Sequence, residues 1–268
     1  MFKKGAINVS YRDFNLEFKN QVALVTLNRP EKGNSWTKET YLEMEELQTE
    51  LQRNEEVRAI VFTGAGDKFF CAGADLALLS ELNSHWISLE LSRFQAINTR
   101  WERHIKPVIM AVNGITVGSG LELALSGDIR IASSEATFSI NEVRLGLNPD
   151  MGGTQRLTRV VGPSQAKRLI LTAETLDAQE AARIGLVDCV VPAKNLISEA
   201  LKMAERITYM PPLAVRFAKK AINLAVDTPL EMGLMYEEVA STFCMGTEDK
   251  KEAVQSVLEK RQPEFYGK

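Results

Sequence analysis

The sequence is poor in histidine and cysteine, the residues that most often bind transition metals. It contains 2 histidines, His85 and His104, and 3 cysteines, Cys71, Cys189 and Cys244. A multi-histidine metal site is therefore excluded, and the cysteines have no metal-ligand spacing. Three widely separated cysteines also form no disulfide framework, which predicts a reducing compartment and a cytoplasmic protein.

Long apolar runs and an excess of basic residues are also missing. No stretch reaches the roughly 18 apolar residues that a membrane-spanning helix needs. The N-terminal segment lacks the apolar core of a secretory signal. The formal net charge is −3, and no cluster of lysine or arginine forms the basic patch of a nucleic-acid-binding protein. We expect neither a membrane nor a nucleic acid as partner.

Apolar periodicity predicts a mixed α/β core followed by a helical region. Strands are predicted at 14–18, 22–27, 57–62, 128–132 and 186–191. The first two are expected to form a β-hairpin. We expect residues 1–194 to hold the site. We expect residues 195–268 to be helical and to cover that site or form subunit contacts.

A helix with one apolar stripe is predicted over residues 81–105. The stripe is expected to pack in the core. Trp86 and His85, near the start of this helix, are interpreted mainly as structural, with a pocket-lining role as the alternative. His104, close to Arg103 and Lys106, is expected to be exposed.

A predicted strand at residues 108–117 leads into a glycine-rich turn. The strand is rich in β-branched and small apolar residues and is broken by a single Asn-Gly pair. Gly118 and Gly120 flank Ser119, and residues 121–125 have helix-forming composition, so the turn leads into a helix. Backbone N–H groups there lack intrahelical acceptors and can bind a negatively charged oxygen.

Two glutamates near this turn are candidate acids. The apolar flanks of Glu122 predict that it is buried, and a buried acid beside free N–H groups is a candidate general base. Glu142 follows 20 residues later, which is enough for one strand to return to the same edge of a sheet. We therefore expect the two carboxyl groups to converge.

Six blocks of the sequence carry a family resemblance. They are NRP at 28–30, FFCAGAD at 69–75, KPVIMAVNG at 106–114, GSGLELALSGDIRIA at 118–132, GGTQRLTRVVG at 152–162 and EKRQPEF at 259–265. In this order they resemble the crotonase family, also called the enoyl-CoA hydratase/isomerase superfamily. The resemblance implies an α/β fold, a crotonase-like superhelix of β-β-α units with a helical C-terminal region. It also implies homotrimers that commonly pair into homohexamers.

The resemblance implies an acyl-CoA thioester as substrate, with no separate cofactor, and a role in fatty acid metabolism such as β-oxidation. It places an oxyanion hole at the backbone N–H groups of Ala74 and Ser119. Donors of this kind stabilise an enolate-like oxygen by roughly 3 to 4 kcal/mol each. The family usually has glycine at position 119, so Ser119 costs backbone strain if its φ is positive.

The matching pair Glu122 and Glu142 favours an enoyl-CoA hydratase, which adds water reversibly across the 2,3 double bond. Asp150 keeps isomerisation open. Hydratases of the family generally have glycine there, whereas dienoyl-CoA and some enoyl-CoA isomerases have aspartate. An isomerase using Glu142 and Asp150 is therefore the main alternative, and a loop-capping aspartate that faces away is the structural one.

Two other classes are disfavoured. A non-catalytic or RNA-binding family member conflicts with the net acidity and with the intact glutamate pair. A serine peptidase conflicts with the context of Ser119, which is not the G-x-S-x-G turn.

The resemblance also implies contacts with coenzyme A. Adenine and pantetheine contacts are expected from the backbone of Ala72, Gly73, Ala74 and Asp75. Three lysines are candidates for the rest of the cofactor moiety. Lys32 and Lys68 lie in segments that approach the phosphates in relatives, and Lys260 matches a lysine that reaches the CoA of a neighbouring subunit.

Overall fold

The computed structural model describes residues 11–268, and within this range the chain forms ten strands in two sheets and ten α-helices. The strands are β1 Phe14–Lys19, β2 Val22–Leu27, β3 Ala59–Gly64, β4 Phe69–Cys71, β5 Val108–Val112, β6 Ile115–Val117, β7 Ile129–Ser133, β8 Thr137–Ser139, β9 Leu176–Asp177 and β10 Cys189–Val191. The helices are α1 Lys38–Arg53, α2 Leu76–Glu81, α3 Ser84–Glu102, α4 Ser119–Ala124, α5 Gly153–Thr172, α6 Ala178–Arg183, α7 Leu196–Thr208, α8 Pro212–Ala225, α9 Leu230–Met245 and α10 Glu248–Glu259.

The strands form a six-stranded sheet in the order β1-β2-β3-β5-β7-β10 and a four-stranded sheet in the order β4-β6-β8-β9. The hairpin of β1 and β2 is antiparallel, as predicted, and the rest of the larger sheet is parallel. Three successive units each give one strand to the larger sheet, one to the smaller sheet, and then helical structure. The prediction of repeated β-β-α units in an α/β fold is confirmed.

The single strand predicted over 108–117 is wrong, because the chain forms two strands there. β5 lies in the larger sheet and β6 in the smaller one, with Asn113 and Gly114 between them. The Gly64 N–H donates to Asn113 Oδ1 at 3.0 Å. A Cβ on Gly114 would lie 2.4 Å from the Lys68 carbonyl oxygen, so only glycine fits where the chain passes from one sheet to the other.

The core lies on both faces of the larger sheet. One face carries Phe62, which packs against Trp101, and belongs to a buried cluster that also contains Trp36. The other face packs against α7, through the small residues Ala200 and Ala204. Because both faces are covered, the central strands are continuously apolar instead of alternating.

His104 is buried, contrary to the expectation that it is exposed; only 3% of its surface is accessible. The Lys106 N–H donates to its Nδ1 at 3.2 Å. Helix α8 brings Lys219 to this place, where the ammonium donates to Asp128 Oδ2 at 2.7 Å. Burial first, and then the charge of Lys219, lowers the pKa of His104 to about 4. The charge of Lys106, which suggested exposure, is instead directed to the Leu51 and Asn54 carbonyls at the end of α1.

The region from residue 196 to Glu259 consists of the helices α7 to α10 and their connections, the described residues after it are not helical, and α7 packs on the larger sheet. Helices α8 to α10 leave many large apolar side chains exposed. None of the helices within residues 11–268 has both the length and the apolar character needed to cross a bilayer. The division at residue 194 into two functional units stays a prediction.

Candidate active site

The candidate site lies where three parallel strands of the smaller sheet end. β4, β6 and β8 are neighbours and run in the same direction. Val117 at the end of β6 pairs with Ser139 at the end of β8, and the Gly118 N–H donates to the Ser139 carbonyl at 3.0 Å. The segments after these strands therefore meet at one edge, which is where open parallel sheets usually bind ligands.

A cavity of about 560 Å³ opens at this edge, in the usual range for small-molecule sites. The predicted residues that line it are Lys32, Ala72, Gly73, Ala74, Asp75, Ser119, Glu142 and Asp150. Its apolar wall is formed by side chains of α1, α2 and α3. They are Tyr41 of α1, Leu78 and Leu79 of α2, and Trp86, Ile87, Leu91 and Phe94 of α3. Trp86 thus both lines the cavity and packs, because it stacks on Phe94 with ring centroids 5.1 Å apart.

Glu122 is completely buried, as predicted. Its Oε1 accepts hydrogen bonds from the backbone N–H groups of Met151 at 2.9 Å and Gly153 at 2.7 Å. A Cβ on Gly153 would lie 2.7 Å from Oε1, so the loop reaches the carboxylate only as glycine. Burial, followed by the negative charge of Glu142, raises the pKa of Glu122 to about 8.

Glu142 begins a short 3₁₀ turn after β8, with Ile140 and Asn141 between them, and lines the cavity. Its Oε1 lies against the turn that carries Ser119, because a Cβ on Gly118 would be 2.8 Å from that oxygen. Burial raises the pKa of Glu142, and the negative charge of Asp150 adds to this effect. The second acid therefore arrives at the same sheet edge as the first, as the 20-residue spacing predicts.

Each glutamate keeps one oxygen without a partner. Oε2 of Glu122 and Oε2 of Glu142 are both buried, and neither accepts a hydrogen bond from any group in residues 11–268. Unpaired buried polar atoms are rare and costly in folded proteins. The two acids lie close enough for their charges to interact, and each unpartnered oxygen can accept a hydrogen bond from a bound molecule.

Two backbone N–H groups are free beside these acids. Ala74 pairs with Trp36 in an isolated parallel bridge, in which the Trp36 N–H donates to the Gly73 carbonyl and the Asp75 N–H donates to the Trp36 carbonyl, both at 2.9 Å. This pattern turns the Ala74 N–H away from Trp36. Neither it nor the Ser119 N–H has an acceptor among the described residues.

The two free N–H groups lie close together. Gly73 has φ +87°, and a Cβ on it would be 3.3 Å from the Ser119 nitrogen. In the turn before α4, the residue with positive φ is Gly118, at +54°, and not Ser119. Serine at position 119 therefore causes no strain of that kind, and its N–H is retained.

Asp150 lines the cavity, so of the two alternatives the loop-capping aspartate that faces away does not hold for this structure. Helix α5 begins after Gly152 with no side-chain cap, so Asp150 does not cap it. The Asp150 carbonyl accepts from Gln95 Nε2 at 2.7 Å, which ties the loop to α3. Burial raises the pKa of the Asp150 carboxyl group.

The lysines differ in position. Lys32 lines the cavity. Lys68 is outside the lining, with its ammonium 5.4 Å from the centroid of the Phe69 ring. Lys260 ends α10 in a left-handed conformation and does not line this cavity.

Sequence reasoning did not identify Tyr41, a buried residue of α1, as a site residue. It lines the cavity and packs edge-on against Trp36 and Phe94, with ring centroids 4.8 Å and 4.3 Å away. Burial, and then the charge of Glu122, raises the pKa of its phenol. In the sequence, Tyr41 has no motif around it that marks it as a site residue.

The raised pKa of Glu122 predicts a specific dependence of stability on pH. Its pKa rises from 4.5 to about 8 on folding, so between these values the folded chain binds more protons than the unfolded chain. Stability must therefore fall as the pH rises through this interval, by up to about 5 kcal/mol from this group. Glu122→Gln removes the effect.

We therefore expect Glu122→Gln to be more stable than the wild type at about pH 9 and to lose this advantage near pH 5. Chemical unfolding at both pH values measures the difference. Glu56→Gln, at an exposed position, is the matched control and should follow the wild type. A pH-independent difference for Glu122→Gln would contradict the raised pKa.

Comparisons with known proteins agree with this geometry. The family model described as "Enoyl-CoA hydratase/isomerase" matches residues 17–268. A "Short-chain-enoyl-CoA hydratase" of Clostridium acetobutylicum is 43% identical over 94% of this chain and 96% of its own length. A "Crotonyl-CoA hydratase" of Syntrophomonas wolfei is 41% identical over 97% of this chain and 100% of its own length.

A solved structure titled as an enoyl-CoA hydratase from Bacillus anthracis superposes with a TM-score of 0.93 at 36% identity, covering 96% of this chain and 100% of that one. The fold predicted from the resemblance, a crotonase-like superhelix with a helical C-terminal region, is therefore confirmed. From the family match over nearly the whole chain, the full-length relatives and the shared fold, it follows that this chain belongs to the enoyl-CoA hydratase/isomerase, or crotonase, family.

Proposed function

We propose that the chain is an enoyl-CoA hydratase that adds water reversibly across the 2,3 double bond of an enoyl-CoA thioester. The observation that carries the proposal is the pair of unpartnered Oε2 atoms on Glu122 and Glu142 in one buried site. The names of the two relatives described above support it, and they point to short acyl chains such as crotonyl.

In this proposal the free N–H groups of Ala74 and Ser119 receive the thioester carbonyl oxygen. Negative charge collects on that oxygen when water attacks carbon 3, and preorganised donors stabilise the charge without having to reorient. The two donors lie at adjacent turns of one sheet edge, so one oxygen can accept from both.

The glutamates supply the proton chemistry. Burial raises both pKa values, that of Glu122 to about 8, and we therefore assign one shared proton to the pair near neutral pH. One carboxylate accepts a proton from the attacking water, and the other carboxylic acid delivers its proton to carbon 2. The sum is the addition of one water molecule, and the reverse sequence removes it. The proposal uses no cofactor apart from the coenzyme A of the substrate.

The coenzyme A portion is assigned to the mouth of the cavity. Lys32, which lines it, is the lysine best placed to meet a phosphate, and the backbone around Ala72 and Gly73 borders the same opening. Lys68 and Lys260 stay candidates for contacts outside the cavity. We include fatty acid metabolism of the β-oxidation type in the proposal, because such breakdown requires hydration of 2-enoyl thioesters.

The first test is the loss of conjugated-enoyl absorbance when the purified protein is added to crotonyl-CoA, with the product identified by mass. We expect hydration by the wild type. Glu122→Gln and Glu142→Gln should each lower turnover by at least about a hundredfold, because each removes a proton carrier. Binding of butanoyl-CoA, which cannot react, is the control and should persist in both variants. Near wild-type turnover by either variant contradicts the two-acid mechanism.

Asp150 supports a second candidate, an enoyl-CoA or dienoyl-CoA isomerase. Its carboxyl group faces the same cavity, has a raised pKa and makes no hydrogen bond to another side chain within the described residues. An acid so placed can move a proton at a carbon farther along the acyl chain, with Glu142 acting at the nearer carbon.

Asp150→Asn separates the two candidates. If Asp150 is a proton carrier, the variant should lose at least about tenfold in the isomerisation of a 3-enoyl-CoA or 3,5-dienoyl-CoA and keep most of its hydration of crotonyl-CoA. Both reactions are measured on the same preparations. An equal loss in both would assign Asp150 to the stability of the loop.

The assembly proposed from the family is a homotrimer or homohexamer. Exposed apolar side chains on α8, α9 and α10 support it, among them Ile222, Leu230, Val239, Phe243 and Val257. Patches of this kind mark interaction surfaces in soluble proteins. We also propose a cytoplasmic location, which the three free cysteines support.

Sedimentation equilibrium should give three or six times the chain mass of 29.8 kDa. Val239→Asp places a charge on the exposed apolar face of α9 and should shift the mass toward that of the single chain. Glu237→Gln, at an exposed polar position of the same helix, is the control. A wild-type mass equal to that of one chain would contradict the proposed homotrimer or homohexamer.

A further inference from the structure

The segment that carries the Ala74 N–H is held by a small polar network beside the cavity, and Ser35 and Asp75 of this network also line the cavity. Asp75 follows Ala74 directly, and its carboxylate is held at both oxygens. Oδ1 accepts from the Ala77 N–H at 3.0 Å, which caps α2. Oδ2 accepts from the Ser35 hydroxyl at 3.2 Å and lies 3.6 Å from Arg29 Nη2.

Arg29 connects this carboxylate with the strand-like segment on the other side of the bridge. Its Nη1 donates to the Ser35 carbonyl at 2.5 Å, one residue before Trp36. Its own backbone is fixed by Asn34, whose Oδ1 accepts from the Arg29 N–H at 3.0 Å. The guanidinium thus spans both chains of the bridge that directs the Ala74 N–H.

The network is partly shielded from solvent. The Arg29 and Asp75 side chains are 17% and 21% exposed, so solvent screens their attraction less than at an open surface. The Ala77 N–H, the Ser35 hydroxyl and Arg29 together lower the pKa of Asp75. Asp75 is therefore ionised, and it is committed to these partners instead of to proton transfer.

We propose that Arg29, Ser35 and Asp75 are positioning residues that aim the Ala74 N–H at the oxyanion, through the two chains of the Trp36–Ala74 bridge. The inference rests on the proposed function, since it assumes that the site stabilises a thioester enolate. It gives Asp75 a role that differs from the expected contact with coenzyme A. A donor that is slightly misaimed still meets a neutral carbonyl but stabilises a developing negative charge less well.

The test compares two ligands that differ at the carbonyl oxygen. 3-Oxobutanoyl-CoA ionises to an enolate, whereas butanoyl-CoA offers only a neutral carbonyl. Calorimetric titration gives both affinities, and near-ultraviolet absorbance reports the bound enolate. The variants are Ser35→Ala, Arg29→Met and Asp75→Asn. Asparagine keeps an oxygen that can cap α2, so Asp75→Asn separates the ionic contact from the helix cap.

We expect each variant to lose about tenfold or more in affinity for 3-oxobutanoyl-CoA while butanoyl-CoA changes by less than about threefold. The double variant Arg29→Met/Asp75→Asn should be no worse than the poorer single variant, because both remove the same contact. With crotonyl-CoA, kcat should fall more than KM rises. Asp227→Asn, in the exposed pair with Arg159 at 3.1 Å, is the matched control.

Equal loss of both ligands would overturn the proposal, since it would indicate a contact with coenzyme A or a general structural role. Unchanged affinity for both, or a wild type that binds no enolate, would also overturn it. Circular dichroism checks folding, and Ser35→Ala is the mildest change if another variant fails to fold. A wild type that binds the enolate but does not hydrate crotonyl-CoA would refute the proposed function. The comparison of the two ligands would then still test whether Arg29, Ser35 and Asp75 position the Ala74 N–H.

Discussion

The burial of the Glu122 carboxyl group constrains the rest of the site. A carboxylate with no exposed surface loses its hydration, which is costly unless hydrogen bonds or a proton compensate. The loop between Asp150 and Gly153 provides part of the compensation through two backbone N–H groups on Oε1. The remainder appears as a raised pKa, so the acid retains a proton at a pH where a surface glutamate has lost it. Burial thus creates the reactivity that the proposed function uses.

The close approach of backbone to carboxylate explains the glycines around the site. Gly153 lets the loop reach Glu122, and Gly118 lets Glu142 lie against the turn before Ser119. At both places a Cβ would come within 3 Å of a carboxylate oxygen. Gly118 also takes up the positive φ of its turn, which leaves the next position free to be serine. The site therefore tolerates serine in place of the family's glycine at position 119, because the positive φ lies one residue earlier, at a glycine.

Local patterns predicted what depends on neighbours in the sequence. The hairpin, the buried Glu122 and the arrival of Glu142 at the same edge all follow from alternation, apolar flanks and the length of one returning strand. The Asn113-Gly114 pair that interrupts the apolar run was the one signal of the change of sheet, and it was outweighed because the residues on both sides are equally apolar. His104 was misjudged for a related reason, since Lys219, which binds the nearby Lys106 carbonyl and Asp128, comes more than 100 residues later. Contacts of this range leave no periodic signal.

Asp150 shows why the third acid is compatible with hydration. Its negative charge contributes to the raised pKa of both Glu122 and Glu142, although burial is the larger cause for each. Three buried carboxyl groups whose charges interact resist being ionised together, so protons are released from the site at higher pH than from surface carboxyl groups. Hydration requires such a proton for carbon 2, and isomerisation requires it for a more distant carbon. The charge of Asp150 therefore helps the site to retain a proton in either reaction. The carbon of the acyl chain that its own carboxyl group can reach decides whether that proton serves hydration or isomerisation.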